Sequence, residues 1–176
     1  MLVLVVFYQS NSFASMKKFL LLFSVFITHG MFAQNRDSLL QVISKGIKDT
    51  NTVKAYRILA GISDASKTRE ALLFGFKGAE LGKVLDWPKG VAGSYLNIGS
   101  QYNFLGKLDS ALMYADSAIK YSHLAGDPRR LSLIYLNKAD YYRQLDLFTK
   151  TLAYCDTSMK YAQEAKSDDT KARIFQ

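Results

Sequence analysis

Residues 95–121 and 135–161 are one stretch written twice, forty positions apart, and that period constrains everything else the chain can fold into. Tyr95, Leu96, Asn97 and Tyr102 recur as Tyr135, Leu136, Asn137 and Tyr142. Leu105, Leu112, Tyr114, Asp116, Lys120 and Tyr121 recur as Leu145, Leu152, Tyr154, Asp156, Lys160 and Tyr161. The only two prolines, Pro88 and Pro128, keep the same spacing. Self-similarity at a fixed period of a few tens of residues marks a stacked repeat, in which one small unit cannot bury its apolar face alone and neighbours bury it for one another.

Within the period the apolar residues follow helical spacing, and no Asn-Gly or Asp-Gly hairpin signal interrupts them. The pattern predicts helices over about 89–105 and 108–125 joined by Gly106-Lys107, then 129–145 and 148–166 joined by Asp146-Leu147. Gly126-Asp127-Pro128 reads as a helix stop, a cap and a helix start. A weaker copy precedes them: a helix carrying Val53, Tyr56, Leu59 and Ile62, a polar turn near 64–67, and a helix over 68–85 closed by Asp86-Trp87-Pro88. Asp37 can cap a short helix running to about Lys48, after which Asp49-Thr50-Asn51-Thr52 offers new caps. Ser167-Asp168-Asp169 caps the start of a further helix that sets Ile174-Phe175 on Ile134-Tyr135.

Gly99, Ala111, Ala115 and Ala118 recur at helical spacing and let helix backbones approach closely, while Tyr and Leu fill the gaps to the neighbouring unit. Thr151, Cys155 and Ser158 take the corresponding places one period later, so Cys155 reads as a small packing residue. It is the only cysteine, so an intrachain disulfide is excluded. The fold class expected is all-α, an α-α superhelix of helical hairpins with a period of about forty. A short N-terminal capping helix over 34–50 leads into an array over 51–176, divided as 51–88, 89–128, 129–168 and an incomplete unit 169–176.

Residues 1–33 have a different character. Met16-Lys17-Lys18 is followed by an apolar run from Phe19 to Ile27, and Ala33 stands just before Gln34. This is the order of a cleavable secretory signal, shorter than a membrane span, with residues 1–15 read either as a mis-assigned upstream start or as an extension of the apolar region into an uncleaved anchor. Export to the periplasm follows, with membrane attachment only if the leader stays uncleaved or a span lies downstream. The net charge of +8 is dispersed singly among acids along the helices, which is a solvated surface and not a nucleic-acid footprint.

Catalysis needs convergent groups, and the sequence offers none. His29 lies in the leader, and His123 sits near a helix end where the dipole favours a cation. Asp168-Asp169 reads as a cap and not a metal pair. No enzyme, cofactor or metal site is expected.

Tyr95, Ile98-Gly99, Tyr102, Gly106, Leu108, Ala111 and Ala118, then Tyr135, Ala139, Tyr142, Phe148 and Leu152, make residues 51–176 resemble the tetratricopeptide repeat family. The period departs from that family's thirty-four and implies longer second helices; HEAT-type repeats share the longer period but lack the Gly-then-Tyr spacing. The resemblance implies a groove lined by the first helix of each pair. It carries the groove positions onto Asn97, Ser100, Asn103 and Phe104, then Asn137, Asp140, Arg143 and Gln144, with a protein or peptide as the occupant. Asn97 and Asn137 serve equally well as inter-helix bonds that order the stack. The unfinished last unit also allows self-association. The leader followed by long repeats is similar to the exported region of bacterial two-component kinases and transcription regulators, so the alternative to a scaffold is the sensory part of a larger transmembrane signalling protein.

Overall fold

A computed structural model of the chain describes residues 36–62 and 65–166. The expected leader and cleavage point, Asp168-Asp169 and the expected incomplete unit 169–176 lie outside the described residues. The chain divides into two compact units, 1–41 and 42–176, and the repeats belong to the second. Helix α1 is described over residues 36–44. Then follow α2 (Thr50–Ala60), a 3₁₀ turn (Ala65–Lys67), α3 (Thr68–Val84), α4 (Pro88–Phe104), α5 (Leu108–Leu124), α6 (Pro128–Gln144) and α7 (Phe148–Glu164). No strand occurs among the described residues.

From α3 onward every helix has 17 residues. Every connection is the same three-residue turn. Its middle residue takes positive φ at Asp86 (46°), Gly106 (68°), Gly126 (57°) and Asp146 (58°). Two backbone bonds close each turn. Gly106 N donates to Asn103 O and Lys107 N to Tyr102 O, both at 2.9 Å, and Gly126/Asp127 repeat this onto His123 and Ser122. This is the Schellman closure, which satisfies carbonyls the helix end leaves open. In the second and third hairpins the first and second helices have equal length, and in the first hairpin the second helix is the longer, 17 residues against 11.

The N-terminal helix also differs from its expected limits. Residue 36 is already helical, so Asp37 is not its cap, and the helix ends at residue 44, with Gly46 at φ 66°. Gly46 N donates to Ile43 O at 3.1 Å, as Asp86 N does to Lys83 O forty residues on. Positions 46, 86 and 126 thus share the positive φ and the first closing bond, and α1 ends in the register of the second helices. Asp49 does cap α2, accepting from Thr52 N at 2.7 Å, and Asp127 caps α6, accepting from Arg130 N at 3.0 Å. Pro88 and Pro128 open their helices, where a missing amide hydrogen costs nothing.

The core is built from small residues. Ala71, Gly75, Gly78 and Gly82 of α3 are buried, as are Ala111, Ala115, Ala118 and Ser122 of α5 at the same places one period later. A Cβ on Gly75 would stand 2.6 Å from Ile98 Cγ1, one on Gly78 2.8 Å from Ser94 Oγ, and one on Gly82 2.9 Å from Val91 Cγ2. Three glycines therefore set the antiparallel contact between α3 and α4, the seam between two hairpins. Within a hairpin, Gly99 lies against the backbone of Ala111, its Cβ position 3.2 Å from Ala111 O.

Candidate functional site

Besides the hairpin contacts α2–α3, α4–α5 and α6–α7, the first helices touch one another, α2 on α4 and α4 on α6. They share one face, and this is where the groove residues expected from sequence fall. Asn97 Nδ2 donates to Arg57 O at 2.6 Å, so its amide orders α4 on α2. Gln101 Nε2 does the same one turn on, donating to Ala60 O at 3.0 Å, while its buried Oε1 has no partner. In the next unit Tyr141 replaces Gln101, and its hydroxyl bonds Ser100 and Asn137. Burial pushes that phenol above its ordinary value, partly offset by the Ser100 bond.

The remaining expected positions form a second, exposed group at the C-terminal ends of α4 and α6. Arg143 Nη2 donates to Asp140 Oδ1 at 2.6 Å, and Gln144 Nε2 donates to Asp140 Oδ2 at 2.9 Å. Gln144 Nε2 also donates to Asn103 Oδ1 at 3.0 Å, which ties the two helix ends together. Phe104 stands 56% exposed beside them. Asn103, Asp140, Arg143 and Gln144 are thus brought together at one end of the face, whereas Asn97 spends its amide on α2, Ser100 bonds Leu96 O of its own helix and meets Tyr141, and Asn137 meets Tyr141 within α6.

The opposite end of the same face holds residues that sequence reasoning missed. Arg57 of α2 and Arg130 of α6 meet over Gly93 of α4: a Cβ on Gly93 would collide with Arg57 Cδ and with Arg130 Nη1. Asp127 grips Arg130 through its backbone N–H and through Nε at 3.3 Å. Burial, reinforced by the neighbouring Arg130 charge and opposed by Asp127, lowers the Arg57 guanidinium from its ordinary value. Arginine nevertheless keeps its charge at neutral pH. Lys54, one turn before Arg57, places its ammonium over the Trp87 ring at 6.0 Å. A signal for Arg57 existed, since it stands forty residues before Asn97 and eighty before Asn137. Gly93 and Arg130 follow no period and had none.

On the side of the second helices, tyrosines fill the valleys. Tyr95 packs on Tyr121 (5.8 Å between centroids) and Tyr102 on Tyr114 (5.3 Å), with Lys83 of α3 over Tyr95. One period later Tyr135 stacks on Tyr161 (5.5 Å) and Tyr142 on Tyr154 (5.1 Å), with His123 of α5 edge-on to Tyr161. The shift places Ala55, Leu81 and Ile43 where Tyr95, Tyr121 and Lys83 stand. That smaller set leaves a cleft of about 330 Å³, walled by Ile43, Ile47, Tyr56, Leu81 and Val84 with Lys77 and Glu80 at its polar part. Cys155 is half-buried, and burial with the nearby Asp156 pushes its thiol up, away from nucleophilic use. Among the described residues no three His, Cys, Asp or Glu side chains gather as a metal ion requires, and no helix is long and apolar enough to cross a membrane.

A scan of protein-family models finds no match to this chain, and a search of curated proteins finds none either. Among solved structures the chain is similar to BtubC (BKLC) from P. vanneervenii, with a TM-score of 0.64 and 18% identity. The similarity covers 81% of this chain and 59% of that one, so this chain matches little more than half of the BtubC length. At that identity the likeness concerns the fold: consecutive helices packed as a repeat of helical hairpins.

Proposed function

We propose that the chain is a non-catalytic scaffold of tetratricopeptide-like repeats that binds a peptide or an extended protein segment along the face shared by α2, α4 and α6. The observation that carries this reading is the contact of α2 on α4 and α4 on α6. It leaves three successive first helices as one uninterrupted surface, polar at both ends and bordered by exposed Phe104. Repeat stacks use such a surface to hold an extended partner over several units, each contributing a few contacts. The scaffold acts outside the cytoplasm in this reading, which rests on the Lys17-Lys18 leader alone.

Selection from a displayed library of random peptides tests it. Peptides enriched on the full chain should lose binding when Asn103→Ala and Arg143→Ala are combined, while the melting midpoint stays within a degree or two. Enriched peptides that ignore this double substitution place the binding surface elsewhere.

A second reading, the sensory repeat region of a larger transmembrane signalling protein, is favoured by α7. In α5, Leu108, Leu112 and Ile119 pack against the core that α6 completes. Of their counterparts, Phe148 and Leu152 stand 61% and 68% exposed while Met159 is half-buried, an apolar face open to a further unit. An apolar stretch of about twenty residues encoded downstream of further repeats would support this reading, and a stop codon after Gln176 would reject it.

A further inference from the structure

Two arginine side chains from different repeats meet at one place on the first-helix face, Arg57 through its Cδ and Arg130 through its guanidinium, and only one carboxylate accompanies them. Arg57 comes from α2 and Arg130 from α6, two hairpins away, and they reach the same point because Gly93 of the helix between them has no side chain. With any larger residue at 93 the two arginines would be held apart. Asp127 is used by Arg130, through the backbone N–H and Nε, which leaves the Nη edge of that guanidinium over Gly93. Among the described residues Arg57 makes no ion pair of its own, and its carbonyl is held by Asn97, which fixes the helix turn that carries it.

The balance of charge is therefore two cations to one anion in a half-buried place. Like charges so disposed are relieved by an oxyanion, and a planar guanidinium fork binds a carboxylate in two-point fashion. Lys54, three residues before Arg57 on α2, adds a third cation, its ammonium over the Trp87 ring. The opposite end of the face is neutral in sum, because Arg143 is matched by Asp140. The face is thus polarised along its length, positive at the Arg57–Arg130 end.

We propose that Arg57 and Arg130, joined across Gly93, form a cradle for the side-chain carboxylate of an acidic peptide segment. This rests on the peptide-binding reading and names the chemistry of its partner. The cradle spans the first and third hairpins, so an occupant also clamps the stack.

Fluorescence anisotropy of a labelled hexaglutamate peptide with the full chain, at about 0.15 M salt where bare surface attraction is screened, is the test. Arg57→Gln and Arg130→Gln should each weaken binding about tenfold, the loss expected of one charge-assisted contact. Gly93→Ser, which changes no charge but pushes the two side chains apart, should weaken it comparably. The exposed pair Lys107→Gln/Lys150→Gln removes two charges at the opposite end of the hairpins and should leave it within twofold. Melting midpoints identify any variant that fails to fold, and Gly93→Ser and Arg57→Gln stand in for each other if one does. Equal losses in the lysine control, or none in the three cradle variants, overturn the cradle. If random-peptide selection yields binders without acidic residues that ignore Arg57 and Arg130, the cradle fails while the peptide-binding reading survives. If no peptide of any composition binds the face, both fail.

Discussion

Ser132 and Ser158 hold each other by a reciprocal bond: Ser132 Oγ donates to Ser158 O at 2.9 Å, and Ser158 Oγ donates to Ser132 O at 2.8 Å. Both are fully buried, at the centre of the α6–α7 hairpin. One period earlier the same two places hold Ala92 and Ala118, also fully buried. The hairpin thus tolerates either a matched polar pair or a matched apolar one. Ser132→Ala and Ser158→Ala should each cost about 1 kcal/mol, and the double variant less than the sum, because the two hydroxyls also stand 3.3 Å apart and each helps to hold the other. Urea unfolding of the three variants gives the cycle; strict additivity would mean the two bonds do not act as a pair.

The glycine seam between hairpins gives the next expectation. Gly75→Ala places a methyl 2.6 Å from Ile98 Cγ1, and Gly99→Leu drives a side chain into the Ala111 backbone. Each should destabilise by about 1–3 kcal/mol through overpacking. A thermal midpoint unchanged in Gly99→Leu would put the register of α4 on α5 in error.

Equal sequence does not mean equal burial along the array. Leu112 and Leu152 are forty residues apart and identical, yet the first packs on the core completed by α6 and the second is 68% exposed. Leu112→Ala should cost about 2 kcal/mol or more and Leu152→Ala about 0.5 or less. Similar losses at both places would show that α7 is covered in solution.

Lys138 is buried, its ammonium 2.5 Å from Asp116 Oδ1 and over the Tyr154 ring. Burial acts to lower its pKa, but the Asp116 bond and charge together outweigh it, and the net shift is upward. A lysine raised on folding contributes stability that is complete below its ordinary value and is lost as pH rises through the folded one. Asp116→Asn should therefore cost about 1–2 kcal/mol at pH 7, less at strongly alkaline pH where Lys138 has lost its proton. A loss that persists unchanged there would mean Asp116 acts through packing.

Much of this architecture was legible because its punctuation is covalent. Pro88 and Pro128 can only open helices, and Gly106 and Gly126 supply the positive φ a Schellman turn needs. Asp86 and Asp146 adopt the same φ without being glycine, so the uniform 17-residue helix was hidden. The N-terminal helix misled for a related reason: Asp37 has the chemistry of a cap, but the helix is set by its end at Gly46. The shared face of the first helices was legible as a column of positions forty apart, Asn97 and Asn137, but not in what each residue does there. Asn97 spends its amide on Arg57 O because the neighbouring helix, unseen in sequence, offers a bare carbonyl. The Arg57–Arg130 meeting needed Gly93, a residue whose significance is the absence of a side chain between two others.

The measurement closest to the central claim is chemical-shift mapping of the full chain with a peptide taken from random selection. Perturbed amides should run along α2, α4 and α6, reaching Arg57 and Gly93 at one end and Asn103 and Arg143 at the other, with α3, α5 and α7 largely silent. Perturbations concentrated on α3, α5 and α7, or in the cleft beside Ile43 and Leu81, would contradict a binding surface on the first helices.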